Sequence, residues 1–450
     1  MKKIIALLFS VFVVFGIVMM SDAKPCRYNA LFEDVINGST IPKSAVHISI
    51  KDLNTGKTVY ELNQDTPVPA ASVQKIVTYT VAKDKLGSDY KFSTKLYKNR
   101  NNDYYVFLGA DPFFTTTDLK SLFSGVLGKI NSVTLDGSIV DNAEWGEGWQ
   151  WDDELNPHMP KFSAYNIDNN TLSVFIIPTM VGAPAKITTN VFYPYSFENY
   201  TVTTEDETNI KLAKNPEVSP ESIAVSGTVS KTTLRKVPVN SPKRYFKIRL
   251  TDILRKHRNP FLGEFQYGKL PYNCKFVTEI KHPMKMTSES ILKKSNNMAA
   301  ESFFKVASYD YETKESGTVE RSIKLFNKYC EKAGLNNSGV RIVDGSGVSK
   351  NNLLTAQFLT EFLAYNGNTD LKKNLPTAGE GTLESRMLYL KDKLYAKTGT
   401  LSDISALAGY LETQIGNNYA FSIIINSPNV KEADMKMLEE YIVREIYQRL

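Results

Sequence analysis

Three runs near the end of the chain, YAKTGT (residues 395–400), SALAGYLE (405–412) and YAFSIIIN (419–426), alternate or cluster apolar residues over strand lengths. Gly416-Asn417-Asn418 supplies a tight turn between the second and third. Beyond them, Met435, Leu438, Ile442, Ile446 and Leu450 recur on one face of a closing helix. The start of the chain offers matching parts. Asn29 to Ile36 reads as a short helix. Val46 to Ile50 and Thr58 to Leu62 read as a hairpin around Asn54-Thr55-Gly56. Pro67-Val68-Pro69 breaks the chain, and Ala70 to Ala82 reads as a helix. The two ends together predict one antiparallel sheet with packed helices, an α+β domain.

The middle reads differently. From about residue 88 to 280 there are many short β-type runs, such as Tyr104 to Leu108 and Leu172 to Ile177. Thr201 to Val237 is rich in Thr, Ser, Val and Lys with few large apolar residues, as in a small β-domain with a modest core. A length of 450 residues suggests about three domains, and an insertion fits better than three in a row. The division expected is an outer domain of residues 24–87 and 281–450, an inserted domain of 88–173 and 238–280, and a nested β-domain of 174–237.

Hydrophobic residues make up 42% and charged residues 23%, which excludes a disordered or collagen-like chain. The four His (His47, His158, His257, His282) and three Cys (Cys26, Cys274, Cys330) form no His-x-x-x-His or Cys-x-x-Cys pair, which argues against a structural zinc. A Ser–His–Asp triad stays open, with few histidines to serve it. Lys2 and Lys3, the apolar run Ile4 to Met20 and Ser21-Asp22-Ala23 have the order of a secretory leader cleaved after Ala23. An uncleaved anchor is the alternative, since the run is only slightly short of a span. Removing residues 1–23 lowers the net charge from +6 to +5, a mild balance that suits work beside anionic envelope polymers. No basic run with interleaved aromatics points to nucleic acid. Three exported cysteines allow one disulfide and one free thiol, but their wide spacing gives no framework, and burial of each is the simpler fate.

Ser72-Val73-Gln74-Lys75 opens the helix after the proline break. Positions i and i+3 share a helix face, so the Lys75 amine is placed against the Ser72 hydroxyl. A desolvated lysine beside another cation is neutral enough to take a serine's proton. The pattern alone is unspecific, because Ser-x-x-Lys recurs at Ser88, Ser290 and Ser302, where a solvated helix face explains it. Lys397-Thr398-Gly399 occurs once, against about 0.2 occurrences expected from composition. It combines a cation, a hydroxyl and a glycine that lets a ligand approach the strand edge. Ser295-Asn296-Asn297 lies between, although Ser-x-Asn recurs at Ser349 and Ser427. The order Ser-x-x-Lys, Ser-x-Asn, Lys-Thr-Gly is the signature of penicillin-recognising serine acyl-transferases.

With these boxes the sequence resembles the class C low-molecular-mass penicillin-binding proteins, the D-alanyl-D-alanine carboxypeptidase/endopeptidase family. The resemblance covers nearly the whole mature chain. Ser295 to Glu301 is similar to the family's second box with its trailing Ala-Glu, and Asp344 to Ser349 to a family loop. Leu375 to Gly379 with Gly381-Thr382-Leu383, and Lys397 to Leu401 with Ala406 to Tyr410, match further segments. Phe107 to Pro112 and Gly148 to Asp153 look similar within the insertion. The resemblance implies a serine β-lactamase/transpeptidase-like domain carrying two extra β-rich domains between its first and second boxes.

It also implies roles. Ser72 would attack the penultimate D-Ala carbonyl of a peptidoglycan stem peptide, with Lys75 as base and Lys397 keeping that base neutral. Backbone N–H groups of Ser72 and Thr400 would form the oxyanion hole. Ser295 would relay the proton to the leaving amine, and Asn297 would hold the substrate amide and Lys75. Thr398, Gly399, Thr400 and Lys397 would receive the terminal carboxylate, of a peptide or of a β-lactam. Asp153 is the candidate for a side pocket that takes the amino-acid end of a diaminopimelate. The alternative is that Trp149, Trp151 and Asp153 merely close an interface. Lys350 stands where the family often has Arg, which keeps the charge but loses bidentate binding. No cofactor or metal is implied, the place of work is the periplasm or extracellular envelope, and membrane association is at most peripheral. A β-lactamase uses the same boxes without so long an insertion, and a catalytically silent envelope-binding scaffold would keep the fold alone.

Overall fold

The computed structural model describes residues 30–258 and 260–450; the leader expected at 1–23 and Cys26 lie outside them. The two ends of the chain meet in one five-stranded antiparallel sheet. Strands β1 (Val46–Asp52) and β2 (Thr58–Leu62) come from the start, and β14 (Leu394–Leu401), β15 (Ile404–Glu412) and β16 (Asn418–Asn426) from the end. Their order is β14–β15–β16–β1–β2, with Val46 opposite Ile425 and Lys397 opposite Ala408. Both faces are covered, which is why β16 reads as a near-continuous apolar run. On one face lie the helix over residues 30–37 and the closing helix Glu432–Arg449, whose Met435, Leu438, Ile442 and Ile446 are buried as their spacing predicts. On the other lies the helix Ala356–Tyr365, packed on Ala408, Ala420 and Ile424.

The middle of the chain builds three further sheets. One contains β3 (Lys91–Lys98), β4 (Asp103–Phe107), β5 (Ser132–Asp136), β12 (Phe265–Tyr267) and β13 (Lys275–Pro283), in the order β12–β5–β4–β3–β13. It is mixed rather than a set of hairpins. β4, β5 and β12 run parallel, and the helix Thr116–Ser124 carries the chain from β4 to β5. Two three-stranded sheets follow. β6 (Thr171–Ile177), β7 (Lys186–Thr189) and β11 (Thr233–Pro238) are ordered β11–β6–β7. β8 (Ser196–Thr203), β9 (Asn209–Lys214) and β10 (Ser222–Val229) are ordered β8–β10–β9. Their core is small, with Leu172, Val174, Ile176, Ile223, Val225 and Val237 at its centre.

Strand pairing bears on the expected boundaries. β6 starts at Thr171, paired with Pro238, and β13 runs to Pro283, paired with Lys91. Cuts at 173/174 and 280/281 therefore fall inside hydrogen-bonded strands. A strand end is set by ladder geometry, which composition does not register. Phe303, fully buried on the helix Asn297–Val306, ties the middle to the outer elements. Its ring centroid lies 6.0 Å from that of Tyr79, 6.2 Å from Tyr90 and 6.1 Å from Phe92 at the start of β3.

Candidate active site

A single helical turn, Ala71–Gln74, runs directly into the helix Lys75–Leu86, so Ser72 and Lys75 sit one turn apart at its head. Ala71 has φ 49°, a left-handed conformation that a residue with a Cβ adopts only when its surroundings impose it. The edge strand β14 lies against this turn. A Cβ on Gly399 would come within 2.8 Å of the Ala70 carbonyl oxygen and 3.0 Å of the Ser72 nitrogen, so only glycine lets the strand approach so closely.

Lys75 is completely buried, and its Nζ lies 2.7 Å from each of three oxygens: Ser72 Oγ, Asn297 Oδ1 and the Ser346 carbonyl. Burial pushes the Lys75 ammonium down to about 7, against the opposing pull of the Asp344 and Glu301 carboxylates. Lys397, also buried, donates to Ser295 Oγ at 2.9 Å and to the Thr398 carbonyl at 2.8 Å. Burial, and after it the charge of Lys75, holds Lys397 well below the usual lysine value. Ser295 itself has φ 57°, and Asn296 caps the helix that follows by accepting from Ala299 N at 2.9 Å. That cap fixes the bend which aims Ser295 toward β14 and Asn297 toward Lys75. Asn297 is held from its other end, where Nδ2 donates to the His158 carbonyl at 2.9 Å.

All five residues expected to carry chemistry, Ser72, Lys75, Ser295, Asn297 and Lys397, thus fall into two hydrogen-bonded groups joined by the segment Ser295–Asn297. Thr398, Gly399 and Thr400 lie on β14 beside them. Asp153 and Lys350 have partners outside these two groups. Asp153 lies on the short turn Trp151–Leu155, half-buried, and burial with the neighbouring Asp152 raises its carboxyl above the usual range. Lys350 Nζ pairs with Asp403 Oδ2 at 4.0 Å, beyond the end of β14. Interface closure describes Trp149 and not Trp151. Trp149 is buried and donates from Nε1 to Asp344 Oδ2 at 2.9 Å, whereas Trp151 is 74% exposed.

Sequence reasoning gave no role to the Ser346 carbonyl, Asp344 or Glu301, all of which bear on Lys75. The signal available was a lone acid at Glu301, inside the otherwise apolar run Met298-Ala299-Ala300 … Phe303-Phe304. Among the described residues no group of three or more His, Cys, Asp or Glu could hold a metal ion, and no helix is long and apolar enough to cross a membrane. Cys330 is buried and Cys274 partly so, neither in a disulfide.

The sequence profile of the D-Ala-D-Ala carboxypeptidase 3 (S13) family matches residues 29–446. The chain belongs to that family. A D-alanyl-D-alanine carboxypeptidase of Actinomadura sp. (strain R39) is 26% identical over 94% of this chain and 87% of its own. The D-alanyl-D-alanine carboxypeptidase DacB of Haemophilus influenzae is 24% identical over 90% of this chain and 91% of its own. The crystal structure of penicillin-binding protein 4 from H. influenzae superposes with a TM-score of 0.81 at 23% identity, covering 93% of this chain and 99% of that one. The fold is therefore shared over nearly the whole length, insertion included, so the α+β reading with an interrupted sheet holds for this chain.

Proposed function

We propose that this S13 enzyme is a serine D-alanyl-D-alanine carboxypeptidase acting on peptidoglycan stem peptides, and an endopeptidase on their cross-links, through an acyl-enzyme at Ser72. The observation that carries this is the placement of Lys75 Nζ 2.7 Å from Ser72 Oγ in a buried site that lowers its proton affinity. Neutral Lys75 takes the Ser72 proton as Oγ attacks the carbonyl of the penultimate D-Ala. The backbone N–H groups of Ser72 and Thr400 receive the developing oxyanion. Ser295, hydrogen-bonded to Lys397, relays the proton taken from Ser72 to the leaving amine, which departs as D-Ala or as the amine of a second stem peptide and leaves Lys75 neutral again. Water then attacks the acyl carbon, the carboxylic acid leaves, and Ser72 regains its proton. Thr398, Thr400 and Lys397 hold the substrate carboxylate, with Gly399 giving it room at the strand edge. No cofactor takes part.

A β-lactam presents a carboxylate and a strained amide in the same relation, so it acylates the same hydroxyl. The H. influenzae protein 4 structure has also been solved with a β-lactam. Asp153 and Lys350 supply contacts for the stem-peptide side chain farther from the reacting amide, Lys350 as a point charge in place of a fork. The catalytic domain is discontinuous, its two parts meeting the insertion near residues 87–90 and 281–284, and strand pairing supports a nested unit of about 171–238. The enzyme is exported by its leader and works in the periplasm or extracellular envelope.

The test is labelling by a fluorescent penicillin, with release of D-Ala from a pentapeptide and cleavage of a cross-linked dimer. A label stable for minutes, lost in Ser72→Ala together with both activities, is the expected result. Rapid turnover of the label indicates a β-lactamase, and no label at all a silent scaffold.

A further inference from the structure

The helix Asn297–Val306 buries one acid one turn after Asn297. Glu301 is fully enclosed, and among the described residues it makes no ion pair. Its carboxylate instead accepts backbone N–H groups: Gly345 N lies 3.0 Å from both oxygens, and Ser346 N 2.8 Å from Oε1. The next group along is the Ser346 carbonyl, which accepts from Lys75 Nζ at 2.7 Å. A Cβ on Gly345 would stand 2.6 Å from Phe304 Cβ and 3.0 Å from the Ala300 carbonyl oxygen, so the glycine lets this loop settle onto the helix. From the opposite side Gln74 Nε2 donates to the Asp344 carbonyl and Thr78 Oγ1 to the Gly345 carbonyl, each at 2.6 Å. The loop is thus clamped between the helix that bears Lys75 and the helix that bears Asn297.

An enclosed carboxylate held by amides rather than by a direct ion pair is costly, and an amide or apolar residue would fill the same space more cheaply. Its charge therefore calls for an account beyond packing. The charged groups facing Lys75 are Glu301 from the helix, Asp344 from the loop and Lys397 from β14. Behind Glu301 stands Lys305, itself paired with Asp141 at 2.7 Å. The Asp344 carboxylate already has four donors, from Trp149, Gly347, Ser349 and Asn352.

We propose that Glu301 is a positioning residue for the general base: through the Gly345–Ser346 peptide it fixes the carbonyl that orients Lys75, and its charge governs how readily that amine exchanges its proton with Ser72. This rests on the roles of Ser72 and Lys75 given above. Burial and the Asp344 carboxylate push the Glu301 carboxyl upward, against the Ser346 and Gly345 donors and the Lys305 charge that favour its ionised form.

The experiment is the pH profile of acylation by a fluorescent penicillin in wild type, Glu301→Gln and Glu301→Asp, on proteins with matching unfolding temperatures. Glu301→Gln removes charge and keeps shape, so its acid limb moves about one unit to lower pH and its plateau falls about tenfold. Glu301→Asp keeps charge and loses reach, so its limb stays at the wild-type pH while its plateau falls. A purely structural role scales the whole profile and moves no limb. A Glu301→Gln limb at the wild-type pH overturns the proposal, as does a Glu301→Asp limb that shifts with that of Gln. If Glu301→Gln does not fold, Glu301→Asp decides, and a wild-type plateau there overturns the proposal. A wild type that Ser72→Ala does not silence instead removes the reading of Ser72, and this inference with it.

Discussion

Lys75 Nζ and Asn297 Oδ1 lie 2.7 Å apart, although 222 positions of chain separate them. The contact joins the Ser-x-x-Lys helix to the Ser-x-Asn segment, and Asn297 is braced behind it by the His158 carbonyl. Replacing Asn297 with Ala removes both bonds and frees the amine to turn from Ser72. Acylation by a fluorescent penicillin then falls by roughly one to two orders of magnitude, as a lost pair of bonds of about 1–1.5 kcal/mol each implies. The fold is retained, as circular dichroism would record.

The lowered proton affinity of Lys75 fixes the sign of two pH effects. Acylation of wild type climbs as pH rises through about 7, where Lys75 loses its proton. Stability follows the same direction. Between about 7 and 10.5 the unfolded chain holds the Lys75 proton more tightly than the folded one, so stability rises with pH across that window. Denaturant unfolding of wild type and Lys75→Met should diverge accordingly, wild type gaining on the variant from pH 7 to 9. Parallel stabilities would count against a neutral lysine.

Gly399→Ala tests the close approach of β14. Its new methyl meets the Ala70 carbonyl and the Ser72 amide, neither of which yields as a flexible side chain would. Overpacking of this kind costs about 1–3 kcal/mol. Because the displaced atoms include the amide proposed for the oxyanion, acylation should drop far more than stability, by a hundredfold or more in a rate measurement.

Trp149→Phe keeps an aromatic ring but gives up the pyrrole part of the indole, and with it one of four donors to the buried Asp344 carboxylate. A loss of about 1–3 kcal/mol in denaturant unfolding is expected. A variant as stable as wild type would mean that water takes the place of the indole.

Phe303→Ala opens a cavity where the rings of Tyr79, Tyr90 and Phe92 converge. The expected cost is about 3–5 kcal/mol. Since Phe92 belongs to β3 and Tyr79 to the helix bearing Lys75, limited proteolysis should find the insertion released before the outer sheet unfolds.

What was legible in the sequence was local and periodic. The closing helix showed in its five spaced apolar residues, the hairpin in Asn54-Thr55-Gly56, and the three boxes in their order. The family's overall fold followed from those boxes. What stayed hidden depends on long-range geometry. The parallel pairing of β4, β5 and β12 leaves no mark distinct from antiparallel strands of the same composition. The limits of β6 and β13 are set by partners about 67 and 190 residues away, Pro238 and Lys91. The Ser346 carbonyl is invisible for a plainer reason: a backbone atom has no residue type. Glu301 was visible as a misplaced charge, but its partner amides lie 44 and 45 positions on.

Val46 lies opposite Ile425, so the central ladder joins segments 379 positions apart and closes only when both are in place. Ser72 and Lys75 follow the first of these segments, whereas Asn297 and β14 come from beyond the insertion. A fragment that stops short of Asn297 would carry the nucleophile without the groups that enclose its lysine. Closing the sheet and assembling the site are therefore one long-range event, and a lesion that opens the ladder would silence the enzyme without touching a catalytic side chain.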